Sequence, residues 1–288
     1  MTGLRVGILG PLTVTVNGRP ATPSAPRLRT VLAVLALSAG RPVPLDHLAA
    51  VVWGEDLPID TRRTVTVYLT RLRCLLGRRS IRTEPAGYTL VIDPDDVDAL
   101  RFAGLVEAAA AAGPATERVL LGAALGLWRG PPLADVPSGW LAEVEATRLT
   151  ELRLDALERR ITLDLDAGTG AGLDAELRDL IARHPFREHF WAHLMTVLNR
   201  SGRRAEALAV YQRLYRLLDD ELGVEPGPAA RAAHREVLGG DPPAPIICDC
   251  YGSGPGHHDR RLHPGPDGRA VRLECPAQVV QQRALNRR

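Results

Sequence analysis

Residues 4–9 (LRVGIL) and 12–16 (LTVTV) are short runs rich in aliphatic and β-branched side chains, and the second alternates at every other position. Asn17-Gly18 follows directly and is a strong hairpin signal. The chain therefore opens with a small sheet. Pro26 then introduces an apolar helix through RLRTVLAVLAL that ends at Gly40, and a second helix runs from Leu45 to Trp53 and closes at Gly54. Asp60 can cap a third, whose apolar positions Val65, Tyr68, Leu69, Leu72 and Leu76 recur at helical spacing as far as Gly77. SIRTEPAGYTLVI reads as two strands around a Pro-Ala-Gly turn.

From Val97 almost to Leu238 the pattern is helical, broken by Gly/Pro punctuation at Gly113-Pro114, Gly130-Pro131-Pro132, Gly168 to Gly172, His184-Pro185 and Gly202. The segment WAHLMTVLNRSGRRAEALAVYQRLYRLL places Trp191, Leu194, Leu198, Gly202, Ala207, Leu208 and Tyr211 at tetratricopeptide-like spacing, with a weaker copy ending at Pro185. Trp191 and Tyr211 read as core residues of such helix pairs, whose stacking leaves a concave surface for a protein partner. The acidic stretch Asp93-Pro94-Asp95-Asp96 separates the two patterns, which gives domains at residues 1–92 and 97–238. Residues 239–288 are rich in Gly, Pro and Arg with few large apolar side chains, a composition that predicts disorder. The expected fold is mainly α with a small β component: a winged helix-turn-helix domain followed by an all-α, tetratricopeptide-like domain.

On the third helix the apolar stripe covers about a third of the circumference. The other side carries Arg63, Thr66, Val67, Thr70, Arg71 and Arg73, with Cys74 at the far end. Arginine can fork onto guanine, threonine can bond to phosphate and valine can touch a thymine methyl, so this face suits the major groove of double-stranded DNA. A merely solvated face would mix in acids, and the one acid here is Asp60 at the cap. Arg62 in the first turn, with Arg78, Arg79 and Arg82 around the hairpin, completes the candidate DNA-binding set.

Charge sharpens this picture. Residues 1–92 hold 12 arginines against 5 acids, residues 93–238 hold 17 against 24, and the remainder 7 against 5, so a head of +7 sits on a body of −7. A polyanion partner is expected for the head alone, because local rather than total charge attracts phosphate. The sequence contains no lysine, which excludes a P-loop lysine and Schiff-base chemistry. No G-x-S-x-G, H-E-x-x-H or glycine-rich phosphate loop occurs either, and His184 and His189 read as capping or surface residues, so no enzyme and no cofactor are expected. Cys248, Cys250, His257, His258, His263 and Cys275 have no standard zinc-finger spacing, so no metal is assigned to them, and Cys74 lacks a resolving partner. Without a signal peptide or an apolar run of about 18 residues, a cytoplasmic protein with no membrane contact is expected.

The order of sheet, three helices and hairpin, with RTVTVYLTRLR followed by GYTL, resembles the OmpR-type winged helix. Behind it, LWRGPPLADV, WLAEVEATRLTELRLDALERR and HPFREHFWAHLMTVLNRSGRRAEALAVYQRLYRLLDDELGVEPGP resemble the bacterial transcriptional activator domain. Together they are similar, over residues 4–238, to the Streptomyces antibiotic regulatory protein family. That resemblance implies phosphate contacts from Arg63 and Arg73 and base contacts from Thr66, Val67 and Arg71. Glu84 departs from it, standing near the wing tip where relatives carry a basic residue. It further implies a pathway-specific activator that binds promoter direct repeats as a side-by-side homodimer and contacts RNA polymerase holoenzyme. A winged-helix repressor and a helical-repeat scaffold remain open on the residues alone.

Overall fold

In β1 (Leu4–Gly7) and β2 (Thr13–Val16) antiparallel pairing sets Val6 opposite Val14, and Leu4, Val6 and Val14 enter the core. Asn17 and Gly18 have φ of 51° and 77°, the conformation a two-residue hairpin requires, and they turn β2 into β3 (Arg19–Pro20). The computed structural model describes residues 3–168 and 172–239, together with the backbone of two short strands, β6 (His263–Pro264) and β7 (Ala270–Val271), which pair antiparallel. The other candidate zinc ligands of the C-terminal segment, the side chain of His263 and most of the stretch whose composition predicts disorder lie outside the described residues.

α1 (Pro26–Leu37) begins on a proline, whose missing N–H costs nothing in a first turn. Val31, Leu32, Ala33, Leu35 and Ala36 are all buried, so this helix forms the centre of the head. α2 (Leu45–Trp53) and α3 (Thr61–Leu76) pack on it and on each other. β4 (Ile81–Glu84) and β5 (Gly87–Leu90) then form the wing. Val43, in the connection between α1 and α2, exchanges both backbone hydrogen bonds with Tyr88 at 2.9 Å each and braces the wing from outside its own hairpin. Only glycine fits at position 87. Its φ is 142°, and a Cβ there would lie 2.1 Å from the Val43 carbonyl oxygen.

The acidic stretch forms a single 3₁₀ turn at Pro94–Asp96, and packing runs straight across it. α4 (Asp98–Ala110) and α5 (Pro114–Leu125) form an antiparallel pair, followed by a π-helical turn at Leu141–Ala146 that feeds directly into α6 (Thr147–Asp166). Phe102, Leu121, Leu133, Leu141 and Leu149 join the apolar cluster that begins at Leu4. A second cluster is built by α6, α7 (Leu173–Arg183), α8 (Glu188–Arg200), α9 (Arg204–Leu222) and α10 (Pro228–Gly239), with Phe190, Trp191, Leu194 and Leu214 at its centre. Trp191 is 3% exposed and donates its indole N–H to the Pro185 carbonyl at 2.8 Å. Tyr211 is half-buried at the edge of this cluster, packed against it with its ring stacked on His234. The chain is thus mainly helical with a small β component, a winged helix followed by helical repeats. Among the described residues no helix is long and apolar enough to cross a membrane.

Candidate nucleic-acid interface

The start of α3 is fixed by Asp60, whose carboxylate accepts the Arg63 backbone N–H at 3.0 Å. Its end is fixed by Gly77 at φ 104°. Between them Val65, Leu69, Leu72 and Leu76 are buried, and Tyr68 is half-buried in a stack on Trp53 with ring centroids 5.8 Å apart. That anchoring leaves Arg62, Arg63, Thr66, Val67, Thr70 and Arg71 exposed, with Val67 at 42%. Cys74 is exposed on the last turn. No ion pair among the described residues involves Arg62, Arg63, Arg71, Arg78 or Arg79.

The two threonines carry a detail absent from the helical wheel. Thr66 donates its hydroxyl to the Arg62 carbonyl and Thr70 donates to the Thr66 carbonyl, both at 2.8 Å. With the proton committed inward, each side chain offers a methyl group and an oxygen acceptor to its surroundings. A phosphate oxygen needs a donor, so in this rotamer these threonines suit base edges rather than the backbone of a nucleic acid.

Arg73 is half-buried and turned toward the wing, its Nε donating to the Ile81 carbonyl at 3.0 Å and an Nη to the Thr83 hydroxyl at 2.8 Å. It ties the helix to β4 and so fixes the angle between the two. Arg78 and Arg79 are exposed on the connecting turn, and Arg82 is exposed on β4 beside Glu84, its ion-pair partner at 3.2 Å. The acid at the wing tip therefore neutralises one of the arginines that the hairpin presents.

How the head is held matters as much as what it shows. The loop between β1 and β2 is gripped by the start of the helical half: Asp98 accepts from the Ile8 and Leu9 N–H groups at 2.7 and 3.1 Å and from Arg129 at 3.2 Å. Arg129 also donates to the Pro11 carbonyl at 2.9 Å, and Asp135 accepts from the Leu12 N–H at 2.6 Å and from Arg29 at 2.8 Å. A Cβ at Gly7 would lie 2.5 Å from the Thr13 hydroxyl and 2.6 Å from the Arg129 guanidinium, so a larger residue there would displace these side chains. The segment LWRGPPLADV thus serves as a clasp between the halves. Sequence reading passed over Asp98, Arg129 and Asp135 in this role, and it also missed the turn between α2 and α3, where Leu57 and Ile59 are 55% and 110% exposed beside Glu55 and Asp56. Two apolar residues in a Gly- and Pro-punctuated loop were the available signal. Among the described residues no group of three or more His, Cys, Asp or Glu side chains converges as a metal site. His184 ends α7, and His189 faces Glu158 at 3.2 Å.

Comparison with known proteins matches this arrangement. The model of the bacterial transcriptional activator domain matches residues 97–238, and that of the C-terminal domain of transcriptional regulatory proteins matches residues 21–90. The regulatory protein DnrI of Streptomyces peucetius is 38% identical over 254 residues, covering 83% of this chain and 93% of the relative. The chain belongs to the Streptomyces antibiotic regulatory protein family. Another family relative, the regulatory protein AfsR of Streptomyces coelicolor, is 40% identical over 244 residues, 83% of this chain but 24% of that much longer protein. The structure of Mycobacterium tuberculosis EmbR in complex with a low affinity phosphopeptide superposes with a TM-score of 0.78 at 35% identity, over 84% of this chain and 66% of that one. As a member of this family the chain is a DNA-binding transcriptional regulator.

Proposed function

We propose that the protein is a pathway-specific activator of secondary-metabolite (antibiotic) biosynthesis genes, binding direct repeats at promoters as a side-by-side homodimer and contacting RNA polymerase holoenzyme. The observation that carries the reading is the α3 face: exposed arginines without carboxylate partners among the described residues, interleaved with threonines and a valine and anchored by a buried stripe. In this reading Arg71 forks onto a base, most readily guanine, while Thr66, Val67 and Thr70 meet base edges through methyl groups and acceptor oxygens. Arg62, Arg63, Arg78 and Arg79 neutralise phosphates. Arg82, already paired, adds less, and Arg73 supports the geometry from behind. Activation rather than repression is favoured by Leu57 and Ile59, which stand in water beside α3 without a role in the core. Apolar side chains exposed next to a DNA-reading helix suit a protein docked alongside on the same duplex.

Gel-shift titration of promoter duplexes together with in-vitro transcription tests both parts. Arg71→Ala should weaken specific binding by about 1–3 kcal/mol and relax base preference at one position, and Arg63→Ala should weaken all sequences alike. Ile59→Ser should bind DNA as the unaltered protein does and activate less. Unchanged binding in both arginine variants would overturn the helix assignment, and lowered transcription from a bound promoter would overturn activation.

A further inference from the structure

A pocket of about 330 Å³ lies between α9 and α10, lined by Tyr211, Pro228, Arg231, His234 and Arg235. Among the described residues its lining contains no carboxylate, although residues 93–238 as a whole carry a net charge of −7. Arg231 and Arg235 are one turn apart on α10, so both guanidinium groups rise from the same face of that helix. Arg231 has a single distant ion-pair partner, Glu225 at 3.9 Å, which is itself 74% exposed, and Arg235 has none among the described residues. Tyr211 and His234 stack face to face with ring centroids 3.7 Å apart and planes within 1°, and the pair forms one side of the cavity. Neither the Tyr211 hydroxyl nor the His234 ring has a hydrogen-bond partner among the described residues.

Two guanidinium forks, one weakly paired and one with no ion-pair partner among the described residues, next to a flat aromatic pair, define a chemistry. Guanidinium groups recognise phosphoryl oxygens through paired, charge-assisted hydrogen bonds. Aromatic rings extend a stack onto another planar ring. We propose that the pocket between α9 and α10 binds a small phosphorylated ligand carrying a planar ring, a nucleotide in chemical class, with its phosphoryl group held by Arg231 and Arg235 and its ring laid against the Tyr211–His234 pair. Glu188 accepts the Gly227 N–H at 2.5 Å and forms no ion pair with Arg231 or Arg235 among the described residues. The site shares no residue with α3 or the wing.

Calorimetric titration of the full chain with adenosine 5′-monophosphate, in the absence of DNA, tests this. Binding should saturate, and adenosine without its phosphate should bind at least about tenfold more weakly, because the charge-assisted bonds are lost. The double variant Arg231→Gln, Arg235→Gln should lose affinity by a similar factor while its melting temperature stays unchanged. Tyr211→Leu should weaken the nucleotide and leave the response to inorganic phosphate intact, which separates ring stacking from charge attraction. Failure of the nucleotide to bind, equal binding of adenosine, or full retention by the double variant would each overturn the proposal. So would the absence of nucleotide binding combined with weaker retention of duplex DNA by the double variant, which would make the arginines backbone contacts. Since the titration contains no promoter, its outcome is independent of whether α3 reads DNA.

Discussion

Between residues 93 and 238, at least ten of the 17 arginines hold a carboxylate within ion-pair distance among the described residues. Around α3 and the wing, Arg62, Arg63, Arg71, Arg78 and Arg79 hold none among the described residues. The chain has no lysine, so one residue type serves both as structural strut and as exposed charge, and composition alone cannot separate the roles. Surroundings do. An arginine whose donors are met by Glu or Asp has its electrostatic energy satisfied within the fold, as where Arg159 forks onto the buried Glu117 at 2.6 and 2.8 Å and holds that carboxyl below its usual pKa of 4.5. Several like charges left unpaired on one face repel each other, and a polyanion relieves that repulsion. The difference between the halves is therefore a difference in where the partner lies, inside the fold for one and outside it for the other.

The largest expected effect comes from cutting the clasp that lets these two electrostatic regimes share one core. Asp98→Ala removes the acceptor of two backbone N–H groups and of Arg129 at a site where the Asp98 side chain is only 14% exposed. Leaving those donors without a partner should cost about 3 kcal/mol. Urea denaturation should show one cooperative transition, shifted to lower midpoint, because Leu4 through Leu163 form a single apolar cluster. If the head melted separately from the helices, the halves would be independent bodies and the contrast between their arginines would carry no consequence for each other.

The elements of the head were legible because each has a local cause: Asp60 and Gly77 bracket α3, the apolar stripe has helical period, and Asn17-Gly18 selects a tight hairpin. Repeats in the helical half were legible from Trp191, Gly202 and Ala207 for the same reason. The clasp was not. Asp98 and Ile8 stand 90 residues apart and Asp135 and Leu12 stand 123 apart, and a carboxylate accepting from a distant backbone leaves no periodic trace. Arg73 shows the same limit on a smaller scale. The helical wheel places it beside the other outward arginines, and only the return of β4 brings the Ile81 carbonyl within its reach. Periodicity identifies which face of a helix is buried; it does not identify which polar residue on the flank has been claimed by a neighbouring strand.

A paired arginine of the helical half offers a second, smaller test. Arg187 is 20% exposed and bridges α6 from the loop before α8, with Glu151 at 2.6 Å, Glu158 at 3.7 Å and Asp155 as a further hydrogen-bond partner. Glu151 and Asp155 are 60% and 65% exposed, so solvent screens much of the attraction. Arg187→Ala should lower stability by about 1–2 kcal/mol in urea titration and leave the salt dependence of DNA binding unaltered. A change in that salt dependence would place phosphate contacts on the helical half and break the division between the two sets.

The smallest effect sharpens the division from the other side. Arg79 is exposed on the turn before the wing and has no ion-pair partner among the described residues, so Arg79→Ala should leave the unfolding midpoint in place. Each phosphate neutralised by a protein cation releases about one counterion, so the slope of log affinity against log salt should fall in magnitude by about 1. Arg82→Ala gives the internal control. Arg82 lies at 3.2 Å from Glu84, and removing it frees an acid at the wing tip. If pairing decides the role, this variant should bind more weakly at low salt because of the exposed Glu84 charge, and Arg82→Ala combined with Glu84→Gln should recover the affinity. Recovery would locate the effect in the carboxylate, whereas a persistent loss in the double variant would mean that Arg82 reaches phosphate despite its partner.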